Sequence, residues 1–305
     1  MSFTTCLTRR KLSASQHCVT WTSCHRDPYP AQTSIGRNYY VAGRDTPAGR
    51  RRMEGKSAVP QNTRESELLK YGDHPDQHFI LAHPFKQPSL GTAVLVHGGY
   101  WRQRITASVM QPMADDLLRS GWSVANVEYR RGPDHPWPTP SFDVAAAIQL
   151  VRSTLRYQGQ SEAAILIGHS VGGQLALLNS NFADAVVGLA PVTDASKVHA
   201  ESLGDGAAME YFGDSPAGIP AIYHDASPIQ APPPSVPTLL VHGFNDDRVP
   251  LEHTREYLDS LAGHVLPEQM IHRSLDHFEI IDPQQHHWQA VQTWMRQVLV
   301  DARAE

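Results

Sequence analysis

The sequence predicts an α/β protein, with a mostly parallel central sheet and helices flanking it on both faces. Three observations carry that expectation. Short continuous apolar runs recur at 92–96, 163–167, 185–190 and 239–241. Runs of this length suit strands that are covered on both sides. Stretches with helical spacing lie between them, and the alternation proceeds without an internal sequence repeat.

Taken in order, residues 64–71 read as a short amphipathic helix or a lead-in segment. Residues 77–82 read as a strand, and 92–96 as the next, running into His97-Gly98-Gly99-Tyr100-Trp101. Ile105, Val109, Met113, Leu117 and Leu118 give helical spacing over 105–120, with Gly121 as the stop. A strand at 122–129 closes on Glu128-Tyr129-Arg130, a structural ion-pair corner. The proline-punctuated loop 136–140 precedes a helix marked by Phe142, Val144, Ile148, Val151 and Leu155, with Ser141 or Asp143 as its cap. Strands follow at 163–167 and 185–190. The interval 194–236 holds no strand and ends in Ala231-Pro232-Pro233-Pro234. An insertion of that length is either a lid-like cap over a pocket or a helical connector on the sheet edge. The chain then gives a strand at 239–241, a helix at 251–261, a short last strand at 269–271 and a final amphipathic helix at 288–300.

Composition narrows the function classes. The 305 residues are 41% hydrophobic and 19% charged, as in a globular protein. No apolar run reaches the roughly 18–20 residues that a membrane span needs. The net charge of −5 divides unevenly, +7 over residues 1–52 and −12 over the rest. An acidic body does not favour nucleic acid or anionic membranes. Cys6, Cys18 and Cys24 are the only cysteines, so the body needs no disulfide and offers no thiolate site. The 17 histidines lack a metal-ligand pattern, and no metal is expected. The expected partner is a small molecule in the cytoplasm, with a homodimer as the expected assembly. The basic segment 1–60 reads as a transit-like or disordered tail, a basic arm, or sequence upstream of a true start at Met53. The last is expected, leaving 61–305 as the catalytic domain.

The chemistry centres on Gly168-His169-Ser170-Val171-Gly172. A buried strand precedes it and the first turns of a helix follow. That is the context of a serine nucleophile elbow, in which flanking glycines let neighbouring backbone pass close to a strained serine. A serine hydroxyl needs a base to take its proton, and the base needs an orienting acid. In an elbow-type sheet these follow the serine as acid, then histidine. Asp246, just past the 239–241 strand, is the expected acid, with Asp247 as the fallback and helix capping as the other use of either residue. His277, between the last strand and the last helix, is the expected base; His264, His272, His286 and His287 fit less well, the last two as exposed residues. The expected oxyanion hole takes the N–H of Val171 and those of Gly99 and Tyr100, with Gly98 giving that loop its freedom and His97 bracing it. Gly98, Tyr100, Trp101 and His169 are the expected pocket residues, Trp101 alternatively packing into the core.

With these motifs in order, the chain resembles the α/β-hydrolase superfamily over about 64–305. The His97–Trp101 stretch looks like the HGGxW motif of kynurenine formamidase (arylformamidase) and its esterase relatives. It is also similar to the HGGG motif of the hormone-sensitive-lipase group, with Tyr100 at the third glycine. The resemblance implies nucleophile Ser170, acid Asp246, base His277 and no cofactor. It implies a serine hydrolase cleaving a small carboxylic ester or an aryl formamide through an acyl-enzyme. A prolyl-oligopeptidase-type peptidase and a non-catalytic small-ligand-binding protein are the alternatives.

Overall fold

The computed structural model describes residues 66–86 and 88–304, all within the compact unit Ser57–Glu305. The expectations for residues 1–60, including a start at Met53, lie outside the described residues. Eight strands form one sheet: β1 (Glu67–Lys70), β2 (His78–Ala82), β3 (Thr92–Val96), β4 (Ser123–Glu128), β5 (Ala164–His169), β6 (Ala185–Leu189), β7 (Thr238–Gly243) and β8 (Glu268–His272). Their spatial order is β1-β2-β4-β3-β5-β6-β7-β8. The β1–β2 and β2–β4 pairs are antiparallel, and every pair from β4 to β8 is parallel. The mostly parallel, helix-flanked sheet read from the sequence is therefore present.

The apolar runs are continuous because both faces of the sheet are covered. On β3, Val94 and Val96 join a core layer with Val144 and Ile148 of α2 (Thr139–Tyr157) and Leu175 of α3 (Val171–Leu178). Ala93 and Leu95 join the opposite layer, with Met113 and Leu117 of α1 (Gln111–Arg119) and Trp288 and Val291 of α8 (His286–Ala304). Each large aliphatic side chain so buried contributes roughly 1.5–3 kcal/mol. A polar residue in either register would lose that contribution, so no polar alternation develops.

The strand order sets the position of the site. From β3 the chain moves outward to β4, then crosses to β5 on the other side of β3. The carboxyl ends of β3 and β5 lie side by side, with Val96 in register with Gly168. Ligands of open α/β sheets bind at such a reversal, outside the carboxyl ends of the strands.

Three local expectations are corrected. Residues 67–70 are not helical; β1 pairs with β2, Glu67 opposite Leu81 through Lys70 opposite His78. Pairing to a strand edge overrides the weak local helical pattern. Helix α2 starts at Thr139, with a proline in its first turn and no side-chain cap. Proline is tolerated there because the N–H it lacks would have no partner. Neither expected cap is available: Ser141 Oγ accepts from Asn179 Nδ2 at 3.0 Å. Asp143 is taken by Arg130 and Gln77. His287 is buried, not exposed, and its Nε2 donates to the Ile280 carbonyl at 3.0 Å.

The 194–236 interval contains α4 (Ala195–Ala200), α5 (Leu203–Phe212) and α6 (Pro220–Asp225), followed past α6 by β7 and then α7 (Glu252–Ser260). It packs against the body and also reaches the cleft. Tyr211 stacks on Trp101 at 5.5 Å, and Phe212 meets the same indole edge-on at 5.2 Å, as a packed connector would. The start of α5 runs through left-handed backbone at Gly204, Asp205 and Gly206. That bend brings Gly204 and Asp205 to the wall of a cleft, as a lid would. Among the described residues, no helix is long and apolar enough to cross a membrane.

Candidate active site

Ser170 occupies the junction between β5 and α3 with φ +57° and ψ −119°. Backbone of that kind costs a non-glycine residue about 1–3 kcal/mol and persists only where the surroundings impose it. Here Ser170 N–H donates to the Leu189 carbonyl at 2.9 Å, while its own carbonyl accepts from Gln174 and Val192, each at 3.1 Å. The flanking glycines are obligatory. A Cβ on Gly168 would overlap the Gly172 carbonyl, and one on Gly172 would overlap the Val96 carbonyl at the end of β3. Strand, serine and helix can approach this closely only without side chains at those two positions.

Asp246 and His277 converge on the same end of the sheet. His277 Nδ1 donates to Asp246 Oδ2 at 2.7 Å, and both residues are buried. The other oxygen, Oδ1, accepts from the N–H groups of Arg248 (2.9 Å) and Val249 (2.8 Å), which fixes the carboxylate plane. Burial pushes the Asp246 carboxyl up, but hydrogen bonds from His242 and His277 and the Val249 amide outweigh it and hold the group well below the usual carboxylate range. With a proton on Nδ1, the His277 Nε2 keeps its lone pair. Asp247 is exposed and faces Arg248 at 3.5 Å, away from His277. The division of labour between two aspartates does not occur: Asp246 both braces its loop and holds His277, and α7 carries no side-chain cap.

The loop after β3 reverses sharply, with Gly99 at φ +123°, Tyr100 at +52° and Trp101 at +57°. His97 spans its base: Nδ1 donates to the Gly98 carbonyl at 2.7 Å, and Nε2 lies 3.0 Å from Glu128 Oε1. The expected bracing role of His97 is thus visible, and so is the ion-pair corner, although Glu128 pairs with Arg131 while Arg130 pairs with Asp143. Among the described residues, the N–H groups of Gly99 and Tyr100 have no acceptor. Val171 is the first residue of α3, where an N–H has no intrahelical partner.

Ser170, His277, His169, Gly98, Gly99 and Tyr100 line one cleft of about 310 Å³. Tyr100 donates through its hydroxyl to the Arg248 carbonyl at 2.5 Å, tying the oxyanion loop to the loop that carries Asp246. Burial pushes the Tyr100 phenol up to about 12. His169 Nε2 donates to the His277 carbonyl at 2.9 Å. Burial, with His277 beside it, pushes His169 down to about 3. Trp101 is not in the cleft wall. Its indole is buried in the core, where the N–H donates to Gln174 Oε1 at 3.0 Å.

Sequence reasoning missed the apolar wall of Ile105, Val109, Phe278 and Ile281, and the charged residues Arg102, Arg104, Asp205 and Arg248. Ile105 and Val109 carried a signal, four residues apart just after the glycine loop, but helical spacing assigned them to a core. Phe278 adjoins His277 and could have been found by that adjacency alone. Among the described residues, no group of three or more His, Cys, Asp or Glu could hold a metal ion.

An elbow serine after β5, an acid after β7 and a histidine after β8, on a sheet of this order, define the α/β-hydrolase fold class. Within it, this chain belongs to the BD-FAE family, whose model matches residues 80–261. It is 27% identical over 215 residues to esterase LipC of Mycobacterium tuberculosis, an alignment covering 63% of this chain and 53% of that protein. It is 30% identical over 125 residues to a kynurenine formamidase of Meyerozyma guilliermondii, covering 41% of this chain and 46% of that one. The chain therefore spans about half the length of the curated relatives it matches. Two solved structures share the fold. A truncated carbohydrate esterase from gut microbiota superposes with TM-score 0.68 at 17% identity, covering 79% of this chain and 99% of that one. Esterase B of Lactobacillus rhamnosis does so with TM-score 0.68 at 21% identity, covering 80% and 87%.

Proposed function

We propose that this protein is a serine hydrolase that cleaves small carboxylic esters through an acyl-enzyme, with 61–305 as its catalytic domain. The observation that carries the reading is the 2.7 Å Asp246–His277 hydrogen bond in the cleft that also presents the strained Ser170. Ser170 Oγ attacks the carbonyl carbon while His277 Nε2 takes its proton. Asp246 keeps the proton on Nδ1 and offsets the positive charge that forms on the imidazole. The carbonyl oxygen, now negative, accepts from the amides of Val171, Gly99 and Tyr100, each worth roughly 3 kcal/mol in the transition state. His277 returns its proton to the leaving oxygen, the alcohol departs, and water repeats the sequence to release the acid.

The likeness to a kynurenine formamidase favours a second reading, in which the bond cleaved is an aryl formamide. The same groups serve, with the proton going to nitrogen. Phenyl acetate, phenyl hexanoate and N-formylkynurenine assayed side by side separate the two. Ester turnover with the formamide untouched supports the esterase reading, and the reverse preference supports the formamidase. No turnover of any of them contradicts both. A cytoplasmic location is part of the proposal, and the lack of cysteine in residues 25–305 is compatible with it. Sedimentation at micromolar concentration tests the expected homodimer.

A further inference from the structure

We infer that the cleft selects a substrate carrying a second, ionised carboxylate remote from the scissile carbonyl, and that Arg104 receives it. The inference rests on the hydrolase reading for its reaction, but on separate observations for its chemistry. The charged side chains that line the cleft are mostly basic, two of the three arginines facing a carboxylate outside it. Residues 53–305 carry a net −12, yet the charged residues of the cleft wall are Arg102, Arg104, Arg248 and a single acid, Asp205. Local excess of one sign in a concave site concentrates ligands of the other.

The three arginines are not equivalent. Arg102 is fully engaged: Nε and Nη2 donate to Glu210 at 2.9 and 2.7 Å, and Nη2 also donates to the Gly204 carbonyl at 2.7 Å. It is a structural tie between the oxyanion loop and α5. Arg248 lies 3.5 Å from Asp247. Arg104 has no hydrogen bond and no ion pair among the described residues, acts on the Glu210 carboxylate only at longer range, and is exposed at the cleft rim beside Ile105. Among the described residues most arginines lie against a carboxylate; Arg104 and Arg273 have neither ion pair nor hydrogen bond, and of the two Arg104 lines the reaction cleft. A guanidinium presents a planar fork of donors matched to a carboxylate, and it cannot lose its charge at working pH. Ile105, Val109, Phe278 and Ile281 line the same cleft and suit a hydrocarbon or aryl spacer, so the ligand class is a half-ester or a carboxylated aryl ester.

Two matched pairs test this. On the acyl side, monophenyl adipate is compared with phenyl hexanoate; on the leaving-group side, 4-acetoxybenzoate is compared with its methyl ester. The native protein should prefer the anionic member of at least one pair by about tenfold in kcat/KM, mostly through KM. Arg104→Gln should bring that ratio to about 1, with Arg104→Lys between. Raising salt to 0.5 M should shrink the preference. Equal or better use of the neutral member in both pairs, or a ratio that Arg104→Gln leaves untouched, would overturn the inference while leaving the hydrolase reading intact. If no ester turns over, that reading fails, and calorimetry on Ser170→Ala still decides this one. 4-Acetamidobenzoate should bind about tenfold tighter than its methyl ester, and a further Arg104→Gln change should remove the difference. Equal binding of the two would contradict the assignment.

Discussion

His169 and His277 are joined by a hydrogen bond of 2.9 Å, from the ring Nε2 of the first to the main-chain carbonyl of the second, with their rings 4.5 Å apart. The residue before the elbow serine thus holds the backbone of the proposed base. Burial beside another imidazole requires the ring to stay neutral, although the hydrogen bond itself would suit a protonated ring.

That requirement gives a pH dependence of stability. His169 is pushed down to about 3 in the folded protein, whereas an unfolded histidine titrates near 6.5. Between those values the unfolded chain binds the extra proton, so stability is complete above about pH 6.5 and falls as pH drops below it. At pH 5 the loss from this residue is about 2 kcal/mol. His253, His272 and His287 are also pushed down, burial being the main cause, and they act in the same direction. Urea midpoints at pH 8 and pH 5 should differ more for the native protein than for His169→Asn. An equal difference in both would contradict the assignment to His169.

The two aspartates at 246 and 247 make opposite predictions. Asp246→Asn keeps the side-chain shape but cannot hold His277 in the required tautomer, so kcat should fall roughly 10³–10⁴-fold. Asp247 is exposed and faces only the rim residue Arg248, with no bond to His277, so Asp247→Asn should stay within about threefold of the native rate. Steady-state kinetics on both variants decide between them.

Gly172→Ala tests the close approach of elbow and oxyanion loop. Its Cβ would press on the carbonyls of Val96 and His97, which are main-chain atoms that cannot swing aside. A destabilisation of about 3 kcal/mol is expected, with ester turnover lost beyond what partial unfolding explains. Thermal melting followed by assay of the folded fraction reads both effects.

Trp101 separates packing from catalysis. Its indole N–H satisfies the buried Gln174, and its ring lies against Tyr211 and Phe212. Trp101→Phe should cost about 1–3 kcal/mol by leaving the Gln174 oxygen unpaired, with KM for phenyl acetate changed less than about threefold. A large rise in KM at unchanged stability would return Trp101 to the cleft.

What the sequence made legible follows from what the residues do locally. The strands of the parallel core were readable because burial on both faces forbids polar interruption, as in β3 and β5. The Ser170 elbow was readable because only glycine fits at 168 and 172. Asp246 was expected with Asp247 as the fallback, because the sequence does not say which carboxylate the loop turns inward, and that is fixed by the Arg248 and Val249 amides. The strand β1 was hidden because an edge strand takes its order from its neighbour. Trp101 stood between pocket and core in the sequence because its burial depends on Tyr211, 110 residues away. The charged rim was unreadable for the same reason, Asp205 arriving from the 194–236 segment and Arg248 from the loop after β7.

The central claim is that Ser170 Oγ is the nucleophile, and covalent labelling tests it most directly. An alkyl fluorophosphonate should add once per chain, with the adduct located by peptide mass spectrometry on Ser170 and abolished in Ser170→Ala together with ester turnover. Labelling at another residue, or ester turnover that survives in Ser170→Ala, would contradict the account.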